Sequence, residues 1–432
     1  MRKKTAILFT FTSICIVFCW TAGSVYGQTD RVTVGAERLL TEYDSLVQGK
    51  RVGIITNHSA VVPGSGQDRR DTDTLHIIDL IHEDPDVSIT ALFGPEHGLR
   101  GQADAGEAVA DSEDELTGAP VYSLYGEHDR PTMEMLNDVD LLIFDMQDVG
   151  ARFYTYAATM ARSMVSAAEA GIPFLVLDRP NPLGGNRIEG FIRKEEFKSG
   201  IGLFPTPVTH GMTIGELARM IKGEQWMDGL EELELHVIEM TGWNRDMLWN
   251  ETGLPWVPPS PNIPDVETAL VYPGTCFFEG TTASEGRGTY EPFLQVGARN
   301  VEGDEIAGRL NERNLEGLDF TGTLFTPESI PGMSKNPKLL DEEIEGIRLE
   351  VTDADALHPV AAGIHILEAF YNALSETDRK KFFNERGMQI RAGNETVQQM
   401  LENGEGAQDI IDRWQDDVDS FARQREPYLL YQ

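Results

Sequence analysis

Val139 to Phe144 is a continuous apolar run broken only by Asp140. Such a run reads as a strand buried on both faces of a parallel sheet. Met160, Met164, Val165 and Ala168 then recur at helical spacing and predict a helix over 157–170. The same alternation appears elsewhere. Short apolar runs predict strands at 51–57, 87–93, 121–125, 172–177 and 233–240. Leu75, Ile78 and Ile81 predict a helix over 74–82. A further helix opens at 210–218, with Thr213 as N-cap and Glu216 three residues on, a capping box. Strand, loop and helix in this order predict an α/β fold: a doubly wound parallel sheet, Rossmann-like in topology. After Pro292 the pattern changes. A helix over 304–311, strands at 320–325 and 347–351, and helices over 359–374 and 408–423 predict a smaller C-terminal α+β domain. The expected organisation is 28–290 for the first domain and 291–432 for the second.

Polar residues crowd the ends of the predicted strands. In an open α/β sheet, ligands bind outside the carboxyl ends of the strands. Asp145, Gln147, Asp148, Arg152, Tyr154 and Tyr156 gather around Gly150 after the central strand. Asn57, His58 and Ser59 follow the first strand. Glu96 and His97 stand in Gly94-Pro-Glu-His-Gly98, after the second. Arg179 and Asn181 follow Asp178, and His210 opens the capped helix. Glu285 and Arg287 sit in a second polar loop, between glycines. Pro255 to Pro264 is too proline-rich for a regular element, and Trp256 within it is either a sugar-stacking platform or a packing residue.

Composition narrows the class. The chain has 432 residues and is 41% hydrophobic, enough for sizeable cores. Arg2, Lys3 and Lys4, the apolar stretch from Ala6 to Trp20, and Val25-Tyr-Gly27 have the layout of a secretory signal peptide over 1–27. Phe18 before Cys19 speaks against lipoprotein attachment. No later apolar run approaches the ~20 residues of a membrane span, so a soluble mature chain without stable membrane insertion is expected. With Cys15 and Cys19 in the signal, only Cys276 remains, and it is expected to be a buried small hydrophobe. Net charge is −35, and losing three basic residues with the signal makes it −38. Such a chain repels nucleic acid. An anionic ligand would need a local cluster of arginines.

Neither a dinucleotide fingerprint nor a Walker A sequence follows a strand, so no cofactor is expected. No Gly-x-Ser-x-Gly elbow points to a serine hydrolase. His58, His97 and His210 with Asp145 could hold a metal, but no helical His pair supports it. Carboxylates suit glycoside hydrolysis, where one must be protonated to help the leaving oxygen depart. Glu96 follows an apolar strand and Pro95, where partial burial would raise its pKa. Asp145, Asp148 and Glu285 are candidates for a second carboxylate, and a substrate-assisted route stays open.

Six motifs occur in one order: Gly94 to Gly98, Phe144 to Tyr156, Leu177 to Gly185, His210 to Glu216, Pro258 to Asn262 and Glu285 to Gly288. Together they resemble the secreted exo-acting β-N-acetylmuramidases of glycoside hydrolase family 171, over nearly the whole mature chain. The resemblance implies an active site in a cleft between a Rossmann-like domain and a smaller C-terminal domain. It implies release of N-acetylmuramic acid from non-reducing ends of peptidoglycan fragments, in the periplasm, for cell-wall turnover or muropeptide salvage. It points to Glu96 as the catalytic acid. A non-enzymatic two-domain periplasmic binding protein for muropeptides or acidic sugars is the alternative. The lactyl carboxylate of that sugar suits Arg152, Arg179 or Arg287, each of which could instead be an ion-pair partner of a nearby aspartate. Tyr154, Asn57, Asn181, Asp145, His97 and His210 complete the candidate substrate contacts.

Overall fold

A computed structural model describes residues 31–64, 74–95, 99 and 112–432. The predicted signal peptide, Glu96 and His97 lie outside the described residues. The strands are β1 (Arg51–Thr56), β2 (Val61–Pro63), β3 (Thr74–His76), β4 (Ser88–Gly94), β5 (Ser112–Glu113), β6 (Pro120–Ser123), β7 (Leu141–Asp145), β8 (Phe174–Leu177), β9 (Leu235–Ile238), β10 (Gln295–Ala298), β11 (Leu318–Phe325) and β12 (Ile344–Val351). The helices used below are α1 (Gly35–Glu42), α2 (Ile77–His82), α3 (Tyr156–Ala170), α4 (Ile214–Gly223), α5 (Val266–Thr275), α6 (Gly303–Glu312), α7 (Pro359–Ala373), α8 (Glu376–Phe382), α9 (Glu385–Ala392), α10 (Thr396–Glu402), α11 (Ala407–Arg413) and α12 (Gln415–Arg425).

The main sheet runs β5-β6-β4-β1-β7-β8-β9. From β6 to β9 every pairing is parallel, and β5 closes one edge antiparallel. The chain winds outward from β1 to β4 and β6, then returns to the other side of β1 for β7, β8 and β9. That is the doubly wound Rossmann order, and its switch point lies between β1 and β7.

Period-two alternation explains why β7 is apolar throughout. Leu142 and Phe144 face one core, with Ile55, Phe93 and Val176. Leu141 and Ile143 face the other, with Val52, Ile54 and Leu175. Helices α3 and α4 cover the first face through Met160, Met164, Leu217 and Ile221. Helices α1 and α2 cover the second through Leu39, Ile78 and Ile81. The first core continues without a break into the C-terminal part, through Tyr272, Phe293, Ile347, Phe370 and Phe421. There an antiparallel sheet of order β10-β12-β11 packs with α6 and α7. Gly274 in α5 and Gly363 in α7 meet backbone to backbone; a Cβ on Gly363 would lie 2.4 Å from the Gly274 Cα.

Two predicted helices differ from the structure. Residues 74–76 pair as β3 with β2, and the helix begins only at Ile77. His76 takes the N-cap, its Nδ1 accepting from Ile78 N at 3.2 Å, because its first neighbours are held by the strand ladder. The helix expected over 408–423 breaks at Trp414, whose ring is buried edge-on against Phe191 at 5.7 Å. The capping box of α4 forms as expected: Glu216 N donates to Thr213 Oγ1 and Thr213 N donates to Glu216 Oε2.

Candidate active site

The carboxyl ends of β4, β1 and β7 stand side by side. Ile55 pairs with Phe93 on one side and Phe144 on the other. The described trace leaves β4 through Gly94 and Pro95. Beside it, Asn57 follows directly after β1. Its Oδ1 accepts from Ser59 N and Oγ, and its Nδ2 donates to Tyr156 Oη at 2.6 Å. Tyr156 Oη in turn donates to Pro259 O at 2.6 Å, which ties the proline-rich loop to the strand ends.

A cavity of about 170 Å³ opens here. Tyr154, Tyr156, Ser260, Tyr272, Glu279 and Arg287 are among its walls. They come from the loop after β7, the start of α3, the proline-rich loop, α5, the 3-10 turn that follows it and the glycine-framed loop. The rings of Tyr154 and Tyr156 meet edge-on at 4.8 Å. Cys276 also lines it, and burial pushes its thiol up to about 12, so it stays a neutral thiol.

The structure separates the candidate residues by what their polar atoms already do. Asp145 and Arg179 form a buried bidentate pair, Nε to Oδ1 at 2.5 Å and Nη2 to Oδ2 at 2.9 Å, and Arg179 Nη1 donates to Val61 O. Arg152 is buried and donates through Nη1 to Phe191 O and Thr206 O, and through Nη2 to Arg391 O. Burial pushes its guanidinium down to about 9, with Arg193 adding to the effect. Asn181 closes an Asx turn, accepting from Leu183 N and donating to Met212 O. His210 is buried, its Nδ1 accepting from Met212 N, and burial holds its pKa near 3, so it stays neutral. These groups hold the loops in place. Trp256 is a packing residue, edge-on to Trp249 at 4.9 Å with its Nε1 donating to Ile263 O.

Arg287 differs. It lines the cavity, and its Nε and Nη2 donate to Glu279 while Nη1 has no partner among the described residues. Glu285 is buried beside it, 3.7 Å from Arg287 Nε and 2.8 Å from Lys338 Nζ. Sequence reasoning does not single out Glu279, Tyr272, Lys338 or Arg391. Glu279 stands in Phe278-Glu-Gly280, where a lone charge after aromatic residues is the available signal. Among the described residues no three His, Cys, Asp or Glu side chains converge as a metal would require.

Asp148 is the candidate carboxyl without an ion-pair partner among the described residues. Its Oδ2 accepts from Gly150 N at 2.7 Å, while Oδ1 is buried without a donor. Burial pushes its pKa up to about 7, against the pull of the loop amides. Unfolded, it would titrate near 3.8. Between those values the folded protein binds a proton that the unfolded chain does not. The contribution of Asp148 to stability therefore falls as pH rises from about 4 to about 7, and stays flat above. Asp148→Asn removes that cost. Against wild type, it is expected to gain on the order of a few kcal/mol above pH 7 and nothing near pH 4. Denaturant melts at several pH values check this; a difference independent of pH would refute it.

Comparison with known proteins agrees with this architecture. Residues 52–267 match the family described as Exo-beta-N-acetylmuramidase NamZ, N-terminal, and residues 270–431 match its C-terminal counterpart. The chain is 43% identical over 401 residues to the Peptidoglycan beta-N-acetylmuramidase NamZ of Bacillus subtilis, covering 93% of this chain and 92% of that one. Two solved DUF1343 family proteins from Bacteroides fragilis share the fold. They superpose with TM-scores of 0.82 and 0.76, each at 34% identity over 93% of this chain and 99% of theirs. Family matches that together span the parallel sheet and the C-terminal part establish that this chain belongs to the NamZ family of exo-β-N-acetylmuramidases, a family of glycoside hydrolases.

Proposed function

We propose that this protein is an exo-β-N-acetylmuramidase that hydrolyses terminal non-reducing N-acetylmuramic acid from peptidoglycan fragments. The observation that carries this reading is a cavity at the carboxyl ends of the parallel strands, walled by tyrosines and one open arginine, in a chain of this family. Tyrosine faces suit a sugar ring, and a guanidinium suits an acidic sugar.

Glu96 follows Pro95 at the end of β4 and serves as the general acid, protonating the glycosidic oxygen as the bond to C1 breaks. Of the three candidate second carboxylates, Asp148 is favoured. Asp145 is ion-paired with Arg179 and Glu285 with Lys338, whereas Asp148 has no ion-pair partner among the described residues. The signal-like segment over 1–27 supports secretion, with the periplasm as the place of action and cell-wall turnover or salvage as the role.

Product analysis with two isomeric disaccharides tests the reading. N-acetylmuramyl-β-1,4-N-acetylglucosamine should be split into its monosaccharides, while the reversed disaccharide stays intact. Cleavage of both, or of the reversed one alone, would overturn it.

A further inference from the structure

Glu279 stands on the cavity wall with both carboxylate oxygens engaged. Oε1 accepts from Arg287 Nε at 3.1 Å and Nη2 at 2.9 Å, and Oε2 accepts from Arg391 Nη2. Burial alone would raise its pKa, but the two guanidiniums overcome that and hold it near 2. It is therefore a fixed anion at any neutral or mildly acidic pH.

Glu279 and Arg287, on the wall, belong to a chain of ion pairs that alternates in sign and runs behind it: Lys338, Glu285, Arg287, Glu279, Arg391. Three cations against two anions leave one positive charge, in a chain of net charge −35. A local excess of that kind is what an anionic ligand needs on an acidic protein.

Arg287 is fixed from several sides. Glu279 takes Nε and Nη2. The Phe293 ring lies 5.0 Å from the guanidinium carbon. Gly286 and Gly288 flank it at φ +80° and +84°, where other residues are strained. A Cβ on Gly288 would also lie 2.5 Å from Pro337 Cγ. With two of its three nitrogens taken, Nη1 is the donor left for a ligand in the cavity. Arg152 and Arg179 offer no comparable edge, because main-chain carbonyls and Asp145 engage them.

We propose that Glu279 is a positioning residue. It holds Arg287 so that Nη1 seats the lactyl carboxylate of N-acetylmuramic acid, and it thereby sets the preference for that sugar over a hexosamine lacking the acid. The proposal rests on the exo-muramidase function proposed above.

The test compares binding of N-acetylmuramic acid and its neutral lactyl methyl ester, by calorimetry, to wild type, Arg287→Gln and Glu279→Gln. Turnover of para-nitrophenyl β-N-acetylmuramic acid is followed in parallel. Wild type should prefer the acid by about 10- to 100-fold, as a charge-assisted hydrogen bond allows. Arg287→Gln should erase the preference. Glu279→Gln should lose most of it, and its catalytic loss should fall on KM rather than kcat. Glu279→Asp keeps the charge but withdraws it by one methylene, so its preference should fall between those of wild type and Glu279→Gln. If Glu279→Gln does not fold, Glu279→Asp takes its place in the comparison. Full preference in folded Arg287→Gln would remove the arginine seat. Full preference in folded Glu279→Gln or Glu279→Asp would remove the positioning role. Absence of turnover by wild type would count against the muramidase function alone, since the acid-to-ester comparison still judges the seat.

Discussion

Glu96→Gln is expected to fold and to lose about a hundredfold or more in hydrolysis of a β-N-acetylmuramic acid glycoside. A glutamine keeps the shape of the side chain but cannot donate the proton that the leaving oxygen needs. General acid catalysis typically contributes about 10²–10⁴-fold, which sets the size of the loss. With a good leaving group such as para-nitrophenol the loss should be smaller than with a sugar leaving group, because protonation then matters less. Rates with both substrates, at matched circular dichroism, check this. Equal rates in wild type and mutant would remove Glu96 from the mechanism and direct attention to Asp148.

The second large effect is on stability. Arg179→Ala leaves the Asp145 carboxylate buried without its partner. Breaking a buried pair from one side costs about 3–5 kcal/mol. Here the lost group also releases Val61 O, at the start of β2. Replacing both residues by apolar ones of similar size, Asp145→Leu with Arg179→Met, is expected to cost much less than the sum of the single changes. Denaturant unfolding of the two single mutants and the double mutant measures the coupling. A loss below about 1 kcal/mol for Arg179→Ala would show that the pair carries little of the loop's stability.

How far the sequence leads depends on the range of each interaction. The apolar run ending at Phe144 marks the central strand, because burial on both faces is written into neighbouring residues. The α4 capping box is legible for the same reason, since Thr213 and Glu216 are three residues apart. Polar clustering also foretells which residues gather: Asn57, Tyr154, Tyr156 and Arg287 meet in or beside the cavity. Which polar residues face a ligand is not legible. Arg152, Asn181 and His210 have the residue types of a sugar site, yet they bind main-chain groups up to 239 residues away. Glu279 and Arg391 are separated by 112 residues, and nothing local links them. Periodicity also misleads where tertiary pairing intervenes, as when the β2–β3 ladder takes the first turn of the helix expected from Thr74.

The most direct measurement is release of para-nitrophenol from para-nitrophenyl β-N-acetylmuramic acid by the wild-type protein, with binding of N-acetylmuramic acid measured on the same sample. Steady turnover with binding at the catalytic site is the predicted result. Tight binding of the sugar without any turnover would contradict it, and would make the protein a receptor for muropeptides rather than a hydrolase.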